Sequence, residues 1–231
     1  TMSMQYMIGE VTQNALHFYD DLARKMEEMG KCVDKVRVRI ISFRDYNHDM
    51  DRSMESTRFF ELPEEKEQFE RAMKSITVFG GGDDAESSLE ALAYAIRSDW
   101  RATTDRYRQV IVLWTDDEPH PFNDRSYQRN IYSSLPNNDP ARYYPSHELP
   151  RDLAELCDWW EDPDLGYIDQ TGKRLLLFSP LQVEGTSGPK ASYAWGEIRD
   201  WSNVVHRNVS STGSLQELDY NVVVETLTKS V

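Results

Sequence analysis

The pattern of apolar and polar residues in the first sixty positions predicts a helix followed by two strands. From Met4 to Met29, apolar residues recur every three or four positions, as on one face of an α-helix. Gly30 follows, at a position where glycine commonly ends a helix. The segment Val36 to Tyr46 alternates and then becomes apolar, which is typical of a buried strand. Arg58 to Leu62 is predicted to be its short antiparallel neighbour.

Two more helices are predicted before the middle of the chain. Pro63 opens the first, which is acidic. Its inward-facing apolar residues are Phe69, Met73 and Ile76. Three consecutive glycines, Gly80 to Gly82, then break the chain, and Asp83 or Asp84 is predicted to cap the second helix. The apolar stripe of that helix consists of Leu89, Leu92, Ala93 and Ile96.

The second half of the chain alternates between apolar strands and helices. Arg108 to Thr115 is the clearest buried strand, and Asp116 follows it directly. From about 117 to 150, a long polar and aromatic stretch is predicted to be a loop insertion. The remaining predicted elements are a helix at 151–160, a strand at 173–179, a helix at 191–201, a strand at 204–209 and a helix at 219–229.

This alternation predicts an α/β fold class. We expect a three-layer α/β/α, doubly wound and mostly parallel sheet with one antiparallel edge strand. Residues 1–231 are expected to form a single domain. In such sheets, ligands bind beyond the carboxyl ends of the strands. Residues that follow a strand are therefore the first candidates for a functional site.

The composition narrows the classes of partner. Lys and Arg number 26, and Asp and Glu number 40, which gives a formal net charge of −14. This charge disfavours nucleic acid or an anionic membrane as the main partner, because both require clustered cations. Cys32 and Cys157 are far apart in the sequence, which favours a reducing compartment. Since no membrane-spanning run or signal peptide is present in the sequence, we expect a cytoplasmic protein.

Three places in the sequence offer hard oxygen donors. Thr1 and Ser3 stand directly before the first helix, Asp83 lies in the glycine-rich segment, and Asp116 ends the clearest strand. In a doubly wound sheet, these places can converge on one crevice. Hydroxyl and carboxylate oxygens without cysteine ligands favour Mg²⁺, Mn²⁺ or Ca²⁺ over zinc or copper.

This set of residues resembles the metal-ion-dependent adhesion site of a von Willebrand factor type A domain. Thr1 and Ser3 match the last two positions of that family's Asp-x-Ser/Thr-x-Ser loop, with one residue between them. Asp83 stands where the family usually has Thr in its second loop. Asp116 matches the Asp that closes the third loop. The resemblance implies that these four residues hold the cation.

Three segments resemble a variant branch of the family. They are Phe43 to Tyr46 (FRDY), Gly80 to Glu86 (GGGDDAE) and Asp116 to His120 (DDEPH). That branch includes bacterial intracellular members and domains attached to alpha-type protein kinases. The family places its first Asp two residues before Thr1, at the end of a central strand. The resemblance therefore implies that this first strand is missing from the sequence and that the domain is N-terminally incomplete.

The long loop after Asp116 is predicted to bind a partner protein. It interleaves Tyr and Arg, which are enriched in binding hot spots. Structureless loops beyond roughly 15 residues are uncommon unless they are functional. The candidate partner-binding residues are Phe122, Arg125, Tyr127, Arg129, Tyr132, Tyr143 and Tyr144. The alternative is a loop that packs only against itself.

The function implied by the resemblance is metal-dependent protein binding. The cation completes its coordination with an acidic side chain of the partner, in a signalling or stress-system scaffold. We do not expect an enzyme. Two alternatives remain open: a metal-dependent phosphoesterase-type hydrolase, and a degenerate domain of the same family that binds no metal.

Ordinary structural roles are also open to these residues. Thr1 and Ser3 suit helix caps, and Asp83 suits a first-turn acid that complements the helix dipole. Asp116 suits a turn carboxylate at the end of a strand. His120 is expected to be a solvated loop histidine, with a place beside the metal as its alternative. The tryptophans expected in the core are Trp159, Trp160, Trp195 and Trp201.

Overall fold

The computed structural model describes residues 5–33, 35–46, 48–49, 52–78, 85–100, 107–122, 149–183, 190–191, 193–209 and 223–225. Its helices are α1 (Gln5–Glu28), α2 (Lys66–Ser75), α3 (Ser88–Ile96), α4 (Leu153–Glu161) and α5 (Tyr193–Ile198), with a 3₁₀ turn at Pro163–Leu165. Its strands are β1 (Val36–Val38), β2 (Ile41–Phe43), β3 (Met54–Ser56), β4 (Phe60–Leu62), β5 (Gln109–Trp114), β6 (Lys173–Ser179), β7 (Gln182–Val183), β8 (Lys190–Ala191) and β9 (Val204–Asn208).

A three-stranded parallel sheet is the largest sheet of the described residues. Its middle strand is β6, which pairs with β5 on one side and with β9 on the other. The three strands and their parallel arrangement are confirmed predictions. Parallel strands end at the same edge of a sheet. We call this edge the carboxyl rim, and it comprises the residues at and just beyond the ends of β5, β6 and β9, namely 115–120, 179–183 and 208–209.

Apolar clusters cover both faces of this sheet. On one face, Leu113, Leu175 and Leu177 lie in a buried cluster with residues of α3, α4 and α5. On the other face, Leu176 lies in a second cluster with Phe18 of α1. Successive side chains of a strand point to opposite faces, which explains why neighbouring leucines belong to different clusters. The mixed α/β class is confirmed.

Three antiparallel pairs complete the sheets of the described residues. β1 pairs with β4, β2 with β3, and β7 with β8. The predicted single strand at 36–46 is wrong in detail, because it divides into β1 and β2 with separate partners. The antiparallel neighbour predicted at 58–62 is confirmed as β4. A third apolar cluster, which includes Tyr19, Phe60 and Phe69, packs α1 and α2 on β1 and β4.

The helices follow the predicted apolar stripes more closely than the predicted caps. Gly30 ends α1 with a φ of 67°, in the left-handed region that glycine adopts without strain. The predicted stripe of α3 is buried. The cap predicted for this helix at Asp83 or Asp84 is wrong, because the helix begins at Ser88 and its N-cap is Ser87. Within the described residues, none of these helices is long and apolar enough to cross a membrane.

The four predicted core tryptophans are buried: Trp159, Trp160, Trp195 and Trp201. All four belong to the cluster on the α3, α4 and α5 side of the sheet. Two of them, Trp160 and Trp195, are completely inaccessible and donate their indole N–H to backbone carbonyls. A buried indole N–H needs such an acceptor, so each of these bonds fixes a neighbouring segment as well as the ring.

A fully buried lysine joins α4 to the amino end of the sheet. Lys173 begins β6 with an exposure of 0 %. Its ammonium group donates to the Trp160 carbonyl, to Gln170 Oε1 and to Glu161 Oε2, at 2.5, 2.5 and 2.9 Å. These acceptors use all three of its protons. The nitrogen also lies 4.8 Å from the centroid of the Trp160 ring.

Replacement of this lysine should destabilise the fold. We expect Lys173→Met to lower the free energy of unfolding by about 2–4 kcal/mol, because it leaves buried acceptors and the Glu161 carboxylate without their donor. Urea denaturation followed by circular dichroism measures this change. Lys25→Met is the control, since the side chain of Lys25 is 42 % exposed beside Glu28 and its loss should cost no more than about 0.5 kcal/mol. Equal stability of the two variants would contradict the role of Lys173.

Asp169 closes the turn that leads into β6. Its carboxylate accepts hydrogen bonds from Thr171 Oγ1 at 2.6 Å, from the Gly172 amide at 2.7 Å and from the Thr171 amide at 2.9 Å. It also accepts one from the Tyr107 hydroxyl at 3.1 Å. The hydrogen bond from the Thr171 side chain is the main cause that lowers the pKa of Asp169. The charged carboxylate is therefore the form that stabilises this turn.

The contribution of Asp169 should depend on pH. We expect Asp169→Asn to lower the free energy of unfolding at pH 7 by about 1–3 kcal/mol, because the amide cannot accept all of these bonds. The pKa is lowered on folding, so the contribution is complete above the unfolded pKa of about 4 and is lost as pH falls through the folded pKa. Urea titrations between pH 7 and pH 2 should show the two curves converging in acid. A gap that stays constant down to pH 2 would contradict this assignment.

Candidate functional site

One predicted metal ligand, Asp116, lies within the described residues. Thr115 and Asp116 follow the end of β5 on the carboxyl rim and are 1 % and 4 % exposed. The other three predicted ligands, Thr1, Ser3 and Asp83, lie outside the described residues. The convergence of the four predicted ligands therefore stays a prediction.

The carboxylate of Asp116 is buried without a partner. Among the described residues, no hydrogen bond or ion pair involves this side chain. A carboxylate that accepts no bond from the protein is a candidate for binding a cation or a donor from outside the chain.

The backbone after Asp116 is nevertheless tightly held. The amide of Glu118 donates to the side chain of the preceding residue, Asp117 Oδ1, at 2.7 Å. The indole of Trp195 donates to the Asp117 carbonyl at 2.8 Å. The amide of Ala194, in the first turn of α5, donates to Glu118 Oε1 at 3.3 Å. These bonds fix the turn and leave the Asp116 carboxylate out of the network.

The segment before α3 meets this turn. Glu86 and Pro119 form a parallel β-bridge. The amide of Glu86 donates to the Glu118 carbonyl at 3.3 Å, and the amide of His120 donates to the Glu86 carbonyl at 3.0 Å. Glu86 belongs to the GGGDDAE segment, and Pro119 and His120 belong to the DDEPH segment. These two segments, which resemble the variant branch, are thus in contact.

Ser87 connects the residues that follow β2 to this contact between Glu86 and Pro119. The Ser87 amide donates to the Arg44 carbonyl, and the Ser87 hydroxyl oxygen accepts from the Tyr46 amide, each at 3.0 Å. Ser87 is completely buried. The start of α3 therefore links the residues that follow β2 to the carboxyl rim of the parallel sheet.

A buried aspartate and two histidines lie close together at this junction between the end of β2 and the start of α3. Asp45 is 1 % exposed, and its two carboxylate oxygens lie 3.4 Å from His120 Nε2 and 3.6 Å from His48 Nε2. The side chain of His120 is 12 % exposed, so the expectation of a solvated loop histidine is wrong. The physical reason is the β-bridge at Pro119, which draws the next residue against the end of β2. Sequence reasoning gives His48 no role.

The donor chemistry at this place fits a hard cation only in part. Near Asp116, Glu118 Oε2 and Ser88 Oγ are buried oxygens without a hydrogen-bond partner. Carboxylate and hydroxyl oxygens are the ligands that Mg²⁺ and Ca²⁺ prefer. Within the described residues, however, no group of three or more His, Cys, Asp or Glu side chains is placed to hold a metal ion. A complete site would therefore require ligands from the undescribed segments.

The predicted partner-binding set is only partly within the described residues. Phe122 is 7 % exposed and belongs to the main apolar cluster, so it is a core residue, and its role in partner binding stays a prediction. The apolar ring gains more from burial in this cluster than from solvent exposure. Leu149, at the far end of the loop, belongs to the same cluster. The other candidates, Arg125, Tyr127, Arg129, Tyr132, Tyr143 and Tyr144, lie outside the described residues.

A serine and a histidine also meet between β6 and β9, beside the carboxyl rim. His206 Nε2 lies 3.1 Å from both the hydroxyl and the carbonyl oxygen of Ser179. A carbonyl can only accept, so this second contact is a hydrogen bond in the tautomer that carries its proton on Nε2, and in that tautomer Nε2 is not a base for the hydroxyl. Burial lowers the pKa of His206, which agrees with a neutral ring. Ser179 is 0 % exposed, and the pair therefore has the chemistry of a structural contact between strands.

The junction at Ser87 leads to a stability prediction. We expect Ser87→Ala to lower the free energy of unfolding by about 1–3 kcal/mol, because it removes the acceptor of the buried Tyr46 amide. Thermal denaturation followed by circular dichroism provides the measurement. Ser75→Ala is a control at an exposed position and should change stability by less than about 0.5 kcal/mol. A fully stable Ser87→Ala protein would show that this junction contributes little.

Comparison with known proteins adds no assignment to this geometry. No protein-family model matches the chain, and no curated protein matches it. The resemblance to a von Willebrand factor type A domain therefore rests on the residues of the sequence, and it stays a prediction.

Proposed function

We propose that this protein is a binding module that holds a divalent cation on the carboxyl rim, where a carboxylate of a partner protein completes the coordination. The observation that carries this proposal is the Asp116 carboxylate, which is 4 % exposed and has no hydrogen bond or ion pair among the described residues. A divalent cation is the simplest group that compensates such a charge. The position after a parallel strand is where α/β proteins bind ligands.

The proposed fold is the three-layer, doubly wound form of the von Willebrand factor type A domain. Two features support it: the parallel sheet of β5, β6 and β9, and apolar clusters on both faces. Among the described residues, β1 with β4 and β2 with β3 form two-stranded sheets separate from the parallel sheet, so the antiparallel edge strand stays part of the proposal. A single domain over residues 1–231 belongs to the same proposal.

The proposed ligands are Thr1, Ser3, Asp83 and Asp116. The β-bridge between Glu86 and Pro119 supports the combination of the last two. In the sequence, Asp83 precedes Glu86 by three residues, as Asp116 precedes Pro119. Mg²⁺ is the proposed cation, with Mn²⁺ or Ca²⁺ as substitutes. When bound, it would supply positive charge and an open coordination position for an oxygen ligand.

The proposed partner is a protein that contributes an acidic side chain. A chain with a net charge of −14 repels such a side chain over most of its surface, so attraction must be local to the cation. Specificity would come from the loop residues Arg125, Tyr127, Arg129, Tyr132, Tyr143 and Tyr144. The same net charge supports the proposal that neither nucleic acid nor a membrane is the main partner.

We propose binding in preference to catalysis. The serine-histidine contact found beside the described part of the rim, between Ser179 and His206, is closed to a substrate because Ser179 is 0 % exposed. Buried Asp116 alone offers no base that is positioned against a nucleophile. The absence of a disulfide between Cys32 and Cys157 is compatible with the proposed cytoplasmic location.

Removal of the Asp116 charge should have opposite effects with and without cation. In chelator, we expect Asp116→Asn to equal or exceed the wild type in thermal stability, because an unpaired buried charge is removed. At a Mn²⁺ concentration of about 100 Kd, the wild type should gain about 2.7 kcal/mol and the variant should gain almost nothing. Differential scanning calorimetry in chelator and in a Mn²⁺ series measures both effects.

Asp200→Asn is the matched control, since Asp200 is exposed and its loss changes the net charge equally. It should keep the full stabilisation by Mn²⁺. A wild type that Mn²⁺ does not stabilise, or an Asp116→Asn protein stabilised equally, would contradict the proposal. Phosphate-ester hydrolysis that disappears in Asp116→Asn would favour the hydrolase alternative. Partner binding that survives excess chelator would favour the metal-free scaffold.

A further inference from the structure

We infer that Trp195 is a positioning residue for Asp116, and that it acts through the backbone of Asp117. This inference rests on the proposed function, because the quantity it affects is the affinity of the carboxyl rim for a divalent cation. Trp195 stands in the first turn of α5 and has an exposure of 0 %. No pattern in the sequence assigns it any role beyond filling the core.

The contact that carries the inference is the indole hydrogen bond. Trp195 Nε1 donates to the Asp117 carbonyl at 2.8 Å. The ring lies in the main apolar cluster with Leu177 and Trp160, so its position is set by the packing of α5 on the sheet. The core is close-packed, and the indole N–H therefore has little freedom to move. The peptide that follows Asp117 is fastened to a rigid element.

A second contact from the same helix fixes the next residue. The Ala194 amide belongs to the first turn of α5, where backbone N–H groups lack partners within the helix. It donates to Glu118 Oε1 at 3.3 Å. The two residues that follow Asp116 are thus held by neighbouring residues of α5, one through a carbonyl and one through a carboxylate.

This arrangement separates the groups that hold the turn from the group that is available to a ligand. The Asp117 carbonyl, Asp117 Oδ1 and Glu118 Oε1 all accept hydrogen bonds, whereas the Asp116 carboxylate accepts none among the described residues. A ligand group held in place before binding loses less freedom when the cation arrives. Residues that orient a metal ligand commonly contribute 10–100-fold to affinity.

Trp160 provides a closely matched control. It is also 0 % exposed, lies in the same apolar cluster and donates its indole N–H to a carbonyl, that of Ser202, at 2.8 Å. Its contacts with Lys173 and Ser202 place it at the amino end of β6 and β9, away from the carboxyl rim. Trp160→Phe and Trp195→Phe remove the same atoms from equally buried sites.

The experiment measures Mn²⁺ affinity by isothermal titration calorimetry and stability by urea denaturation on the full chain. Both variants should lower the urea midpoint by similar amounts. Trp195→Phe should weaken Mn²⁺ binding by about 10-fold or more, whereas Trp160→Phe should stay within about 2-fold of the wild type. A structural role alone would change the urea midpoint and leave both affinities equal.

Glu118 provides a rescue test. Glu118→Gln keeps an oxygen acceptor for the Ala194 amide and should retain Mn²⁺ affinity within about 3-fold, whereas Glu118→Ala should lose about 10-fold. Equal losses in the two variants would show that charge, not positioning, is what Glu118 contributes. This result would overturn the part of the inference that concerns Glu118.

The outcomes separate this inference from the proposed function. If the wild type binds Mn²⁺ and Trp195→Phe binds it as well as Trp160→Phe does, the positioning role is wrong and the proposed cation site stands. If the wild type binds no Mn²⁺, both are wrong. Loss of Mn²⁺ affinity in Trp195→Phe alone supports both.

Discussion

Parallel pairing of β5 with β6 is the constraint on which the rest of the molecule depends. It places Trp114 opposite Phe178, so that Thr115, Asp116 and Ser179 all stand at one edge of the sheet. The start of α3 and the turn after β5 then meet at this edge through the bridge between Glu86 and Pro119. The two ends of the sheet differ in how their buried charged side chains are paired. At the amino end, the buried charge of Lys173 has three acceptors, whereas at the carboxyl end the buried charge of Asp116 has no donor among the described residues.

The sequence alone is sufficient to predict the helices and strands whose apolar pattern is long. The runs that became β5 and β6, and the helical stripe of α1, are predicted correctly because many residues contribute to each pattern. β3 escapes prediction, since Met54, Glu55 and Ser56 include neither an apolar alternation nor a β-branched residue. Its strand form depends on pairing with β2, which no local pattern encodes.

The candidate site was only partly predictable, because its contacts are nonlocal. Asp116 is identifiable from its place after an apolar strand. Ser87 is one of several possible caps before α3, and its selection depends on the Tyr46 amide, forty-one residues earlier. The burial of His120 and Phe122 likewise depends on what the chain packs against after it leaves β5. Lysine is rarely buried, so nothing in the sequence distinguishes Lys173 from an ordinary surface residue.

Anchoring of both Phe122 and Leu149 in one apolar cluster has a consequence for how this protein can diverge. The two anchors fix where the intervening chain leaves and rejoins the core, whatever its length. The cost of closing a chain between two fixed points grows only with the logarithm of its length, so a doubling adds about 0.6 kcal/mol. A change of length between Phe122 and Leu149 should therefore cost less stability than a substitution in β5 or β6.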